Sequence, residues 1–148
     1  MTNESGLLLA GLLFLGVLVK GWQEVVIRKN AFGETPGLCF LGIFVWGDAI
    51  MIGWFWLLAI SLALITKDLW ILGLFTSVFW VVRGWGEATY WLNQQFSPIV
   101  RNPPEKLRGY GLVKSDAIWF IYQVWWQTIM MLAGISTILL VYYRLVGR

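Results

Sequence analysis

Histidine is absent from this 148-residue chain, and cysteine occurs once. The first absence removes histidine metal ligands, Ser-His triads and imidazole proton switches. The second leaves Cys39 without an internal disulfide partner, so oxidative stapling is excluded and an apolar packing role suits the thiol. Charge is scarce too: Asp, Glu, Lys and Arg make up 13% of the residues, against about 25% in soluble globular proteins. The formal charge of +3 is dispersed, with no basic run of the kind that engages nucleic acid. A Gly-x-Ser-x-Gly elbow and a phosphate-binding loop are also missing, so any enzyme reading must rest on carboxylates.

Apolar and aromatic residues fill the space that charge leaves. The chain is 59% hydrophobic and 17% aromatic, with eleven Trp, and its mean hydropathy is +0.71. A single soluble core of this length could not hide so much apolar surface. The expected environment is a lipid bilayer, and no cofactor is implied.

Four segments carry the hydrophobic pattern. Gly6 to Val19 is an apolar run that falls short of the about 20 residues needed to span. It gains length by continuing past Lys20 and Trp22 to Ile27. With Glu4 in its leading part and a poor cleavage site at Val17–Lys20, it reads as a retained helix rather than a signal peptide. Leu38 to Thr66 divides at Gly47–Asp48. Ala49 to Thr66 spans; Leu38 to Trp46 lies along the interface or re-enters partway, a single strongly tilted helix being the competing arrangement. Lys67–Asp68 then forces a very tight turn. Leu69 to Val82 repeats the first run in length and kind, extended through Arg83, Trp85 and Glu87 towards Leu92 and closed by Asn93–Gln95 and Ser97–Pro98. Arg101 to Ser115 is the long polar connection. Ala117 to Tyr143 follows, the longest stretch of the chain without a charge.

Two motifs recur in order. Lys20-Gly21-Trp22-Gln23-Glu24 returns as Arg83-Gly84-Trp85-Gly86-Glu87, and Gly47-Asp48-Ala49-Ile50 as Ser115-Asp116-Ala117-Ile118. The fold class expected is therefore an all-α membrane protein of four transmembrane helices, built as two tandem two-helix repeats, residues 1–66 and 67–148. Each repeat has an even number of helices, which calls for a pseudo-two-fold axis along the membrane normal. Arg28, Lys29, Arg101, Lys106, Arg108 and Lys114 fall on the side of the long loops, against Lys67, Arg144 and Arg148 on the side of the termini. The positive-inside rule then places the long loops in the cytoplasm and both termini outside, in a plasma membrane.

The repeated motifs nominate Lys20, Glu24, Asp48, Arg83, Glu87 and Asp116 as a cluster near the cytoplasmic leaflet, with Gln123 and Gln127 on one face of the last helix. Two positive and four negative charges leave an excess for a cation, a proton or water to meet. Glu87, beside the Gln stripe, is expected to be the most sensitive acid. The plainer alternative is that each motif is a clamp of interface anchors and salt bridges that a hairpin needs to fold. Gly21 and Gly84 then permit close helix packing, and Trp22, Trp46, Trp85, Trp91 and Trp119 form an interfacial belt. Three functional classes follow: a permeation or transport protein using the negative cluster, a non-catalytic assembly or accessory subunit, and an intramembrane enzyme with Asp48 and Asp116 as a dyad. The last competes with ordinary helix capping by both Asp residues. The expected partners are the bilayer and either further copies or another membrane subunit, since four helices leave little lumen. A metal cannot be assigned from these residues.

Overall fold

The structure, a computed structural model, describes residues 3–147. Arg148, counted above on the side of the termini, lies outside the described residues. Helix α1, Asn3–Trp22, continues without a break into a π-helix, Gln23–Ile27; a 3-10 helix, Pro36–Leu41, leads into α2, Trp46–Thr66. Helix α3, Leu69–Phe96, is followed by a 3-10 turn, Pro104–Lys106, the short α4, Tyr110–Val113, and α5, Ala117–Val146. Four helices are long and apolar enough to cross a membrane: Glu4–Ile27, Trp46–Thr66, Leu69–Phe96 and Ala117–Val146. The architecture is all-helical, as the apolar runs implied; among the described residues the only strand-like pairing is a bridge between Glu34 and Val45. Helix α3 runs past Leu92 through Asn93, Gln94 and Gln95, because Gln94 turns inward and is buried there.

The chain divides into two compact units after Phe75, inside α3 rather than at the Lys67 turn. In the first unit α1 and α2 run antiparallel along a seam of small residues. A Cβ added to Gly21 would lie 2.8 Å from the Cβ of Ala49, one added to Gly53 would lie 3.5 Å from Leu18, and one added to Gly11 would lie 3.7 Å from Ile60. Ala49, Ala59 and Ala63 are buried along the same seam. Lipid offers no hydrophobic drive for helices to associate, so close backbone approach through Gly and Ala, with its dispersion contacts, holds such a pair. Phe14 stacks on Trp56 at the middle of the seam, with ring centroids 5.7 Å apart. At its end Lys67 takes a left-handed conformation, φ 53°, and Asp68 Oδ1 accepts the Trp70 N–H at 3.0 Å, capping α3. Phe55 and Phe75 meet at 5.8 Å, so α2 and the first turns of α3 are neighbours.

In the second unit the remainder of α3 packs against α5. A Cβ on Gly84 would lie 2.9 Å from Met130 Cβ and 3.1 Å from both the Met130 nitrogen and the Trp126 carbonyl oxygen. Trp80 stacks on Trp126 at 6.5 Å, and Trp91 packs on Tyr122 at 4.7 Å. The polar connection is fastened to the helix ends. Gln94 donates to the Ile99 carbonyl at 3.1 Å and accepts from the Arg101 N–H at 3.2 Å, and Trp119 Nε1 donates to the Asn102 carbonyl at 3.0 Å.

The two units use their shared motif in different registers. Gly21 meets Ala49, the residue directly after Asp48, whereas Gly84 meets Met130, nearly four helical turns along α5 from Asp116. That displacement is about 21 Å of rise. The shift has a local cause: α3 runs on from Gly84 to Phe96, while α1 and its π-turn run from Gly21 only as far as Ile27.

Candidate functional site

In the first unit the motif closes around Glu24. The π-helix supplies one extra residue per turn, with the Arg28 N–H bonded to the Gln23 carbonyl at 3.0 Å and the Asn30 N–H to the Glu24 carbonyl at 2.8 Å. This wider winding turns the Glu24 side chain inward, leaving the residue 5% exposed. Its Oε1 receives Lys20 Nζ at 2.9 Å and Arg28 Nη1 at 2.7 Å, and its Oε2 faces Asn30 Nδ2 at 3.4 Å. Lys20 also lies 6.0 Å over the ring of Trp46, at the start of α2, within the range of a cation–π contact. Asp48, in the first turn of α2, reaches back so that its Oδ2 accepts the Phe44 N–H at 3.1 Å. Phe44 precedes the N-cap residue Val45, so this bond ties the incoming loop to the first turn of α2 rather than capping the helix.

In the second unit Arg83 Nη2 pairs with Glu87 Oε1 at 3.0 Å, both side chains about one-fifth exposed. Gln123 is buried and its Oε1 accepts a hydrogen bond from Gln95 Nε2 at 2.7 Å, an amide clasp between α5 and α3. Gln127, one turn on, lines a groove with Trp85, Ala88, Thr89, Leu92 and Met130. Asp116 stands exposed at the start of α5 and makes no side-chain cap bond.

The eight residues nominated from the sequence therefore fall into separate groups. Lys20, Glu24 and Asp48 come together at one end of the α1–α2 seam; Arg83, Glu87 and Gln127 lie at the level where α3 meets Met130. Gln123 lies one turn away from Gln127, and Asp116 lies a further two turns along α5, beside the polar connection. The excess of negative charge expected from the motifs does not arise within either unit. In the first, Arg28 joins Lys20 against Glu24 and Asp48; in the second, Arg83 faces Glu87 while Asp116 is at another level. Arg28 was legible, since it follows Glu24 at the same four-residue spacing by which Lys20 precedes it. Asn30 was not, because a six-residue separation shares no face of an α-helix and needs the π-turn. Among the described residues no group of three Cys, Asp or Glu side chains gathers to hold a metal ion. No protein-family model matches this chain, and no curated protein or solved structure matches it either.

The arrangement is chemically conservative. Glu24 with two cations is a carboxylate already neutralised, and a buried charge is tolerated only when it is paired and hydrogen-bonded in this way. The Asp48 carboxylate is committed to a backbone N–H. Neither group is presented as a free base or nucleophile.

Proposed function

We propose that this chain is a non-catalytic membrane subunit in which the charged motifs are packing clamps that set helix register. The observation that supports the proposal is the Glu24 carboxylate, buried and engaged by Lys20, Arg28 and Asn30. A permeation site needs charge that is exposed to a hydrated path and left for the permeant to meet; a clamp needs charge that is internally satisfied. In this reading the long loops face the cytoplasm of a plasma membrane, both termini face outward, and the chain works beside further copies or another membrane subunit. The recurrent motifs are read as a duplicated hairpin whose second copy has moved in register.

A transport role is the second reading, and one observation favours it. Gln127 and Thr89 sit together in the groove beside the Arg83–Glu87 level, and neither has a hydrogen-bond partner among the described residues. Unpartnered amide and hydroxyl groups facing hydrocarbon are costly, and a hydrated permeant would satisfy them. The intramembrane enzyme has less to support it, because the Asp48 carboxylate is engaged by the Phe44 N–H.

Reconstitution separates the two readings. Purified protein in liposomes is assayed for proton and monovalent-cation flux, with Glu24→Gln, Glu87→Gln and Gln127→Leu measured for both flux and thermal unfolding. The clamp reading expects no flux above protein-free vesicles and a lowered Tm for Glu24→Gln. Flux in the parent that disappears in Glu87→Gln or Gln127→Leu at unchanged Tm would overturn it in favour of transport.

A further inference from the structure

No residue between Glu34 and Asp48 carries a charge, yet this stretch forms neither a spanning helix nor a surface loop. It makes a short hairpin. Thr35 N–H donates to the Phe44 carbonyl at 2.9 Å, Glu34 bridges to Val45, and the Trp46 N–H donates to the Gly33 carbonyl at 3.1 Å. The tip is the 3-10 helix Pro36–Leu41, closed by Gly42 in a left-handed conformation, φ 77°. We propose that this hairpin re-enters the bilayer beside α2 and that its tip, residues 36–42, is seated among lipid acyl chains.

Depth is fixed by one hydrogen bond. Trp56 Nε1 donates to the Leu41 carbonyl at 3.1 Å, and Trp56 is the central residue of α2, ten residues from Trp46 and ten from Thr66. Ten residues are about 15 Å of helix. The indole leans back towards the helix start, which recovers only part of that distance, so the Leu41 carbonyl lies well below the level at which α2 begins. The five residues from Leu41 to Trp46 can span up to about 17 Å when extended, enough to make the return.

Irregular backbone survives at such depth only if its polar groups are satisfied inside the protein. Here they are provided for. Leu38 N–H donates to the Thr35 carbonyl at 2.9 Å, Gly42 N–H to the Cys39 carbonyl at 3.0 Å and Ile43 N–H to the Leu38 carbonyl at 3.3 Å. Thr35 Oγ1, itself buried, donates to the Ile43 carbonyl at 2.9 Å. What the hairpin turns outward is apolar: Phe40 is 83% exposed at the tip, while Ile43 on the returning side is fully buried. A Phe so placed in water would be unfavourable; among acyl chains it is at home. The charges that flank the hairpin are Glu34 at its base, bridged to Val45 where α2 begins, and Asp48 in the first turn of α2, so both remain at the level of the helix start.

Cys39, the single cysteine of the chain, lies in the tip and serves as a native reporter. The full-length protein, labelled there with an environment-sensitive fluorophore and reconstituted in phosphatidylcholine vesicles, is exposed to acyl-chain-brominated lipid and to aqueous iodide. The expected result is strong quenching by the brominated chains and at least about tenfold weaker iodide quenching than for a label at Lys29→Cys in a Cys39→Ser background. Iodide quenching equal to that control would overturn the proposal, and so would protection from both quenchers, which would mean that protein covers the tip. Phe40→Cys, also in the Cys39→Ser background, gives an independent reporter should labelling at Cys39 disturb folding. Trp56→Phe removes the anchoring N–H and is expected to raise iodide quenching at Cys39 at least about twofold; an unchanged value would overturn the role assigned to that hydrogen bond.

Discussion

The first and second units present the same five-residue motif and use it differently. In the first, the glycine is pressed against a methyl group, Gly21 on Ala49, and the acid beside it is buried under two cations. In the second, the glycine is pressed against Met130 Cβ and also against backbone, the Met130 nitrogen and the Trp126 carbonyl, and the acid pairs with a partly exposed arginine. A motif fixes which residues are available to a helix face. Which partner they meet is set by how far each helix runs on before its loop: α3 continues past its glycine to Phe96, whereas the first helix and its π-turn stop at Ile27.

The largest effect that would sharpen this contrast is expected at the glycines. Gly21→Ala and Gly84→Ala each place a methyl carbon closer than 3.0 Å to a neighbour, and such overpacking costs about 1–3 kcal/mol, against up to about 1 kcal/mol gained in helix propensity. Ala49→Gly should rescue Gly21→Ala, because the next contact is 3.6 Å away. Met130→Gly should not rescue Gly84→Ala, since the 3.1 Å contacts are to backbone. Thermal unfolding of the single and double variants reads both outcomes, and equal rescue in the two units would erase the distinction.

Next in size come the acids. Glu24→Gln leaves Lys20 and Arg28 facing each other without their counterion, so its Tm is expected to fall more than that of Glu87→Gln, which unpairs Arg83 alone. The Gln stripe singled out Glu87 in the sequence for a part in flux rather than in stability, so this order bears on the clamp alone. A larger loss at Glu87 would show that burial under two cations is not what makes Glu24 matter.

The two aspartates form a third pair. Asp48→Ala removes the acceptor of the Phe44 N–H and should cost about 1 kcal/mol, with the Cys39 label becoming more accessible as the hairpin loosens. Asp116→Ala removes no side-chain cap bond and should stay within about 0.5 kcal/mol of the parent. Comparable losses would show that the motifs are equivalent after all.

At Trp91→Phe two opposing terms nearly cancel. The Trp91 indole nitrogen is buried with no hydrogen-bond partner among the described residues, a penalty of about 1–3 kcal/mol that phenylalanine does not incur. Loss of ring area works the other way. The variant is expected to unfold within about 1 kcal/mol of the parent, with the contact on Tyr122 retained; a loss above about 3 kcal/mol would reveal an acceptor for the indole.

Much of the fold was legible because lipid imposes a simple rule on composition: long uncharged runs such as Ala117 to Tyr143 become helices since nothing else satisfies their backbone. The clamp was partly legible, as Lys20–Glu24 and Arg83–Glu87 are helical neighbours at four-residue spacing. The register of α3 on α5 was not. It depends on Gln94 and Gln95, which look like a polar helix end and instead become buried fastenings, Gln94 to the connection and Gln95 to Gln123. The hairpin at residues 33–45 was legible only as one of several arrangements, because its decisive bond joins Leu41 to a tryptophan fifteen residues away.

The Lys67–Asp68 turn bears on how the chain enters a membrane in the first place. Two residues reach only about 7 Å, whereas α2 has 21 residues and α3 has 28, or about 31 and 42 Å of helix. No slack exists for α2 to cross while α3 waits on the near side. In the topology proposed above, which puts this turn on the outer face, both helices must lie across the bilayer once the turn is in place, so the pair would be inserted as one piece, with the charges of Lys67 and Asp68 crossing together.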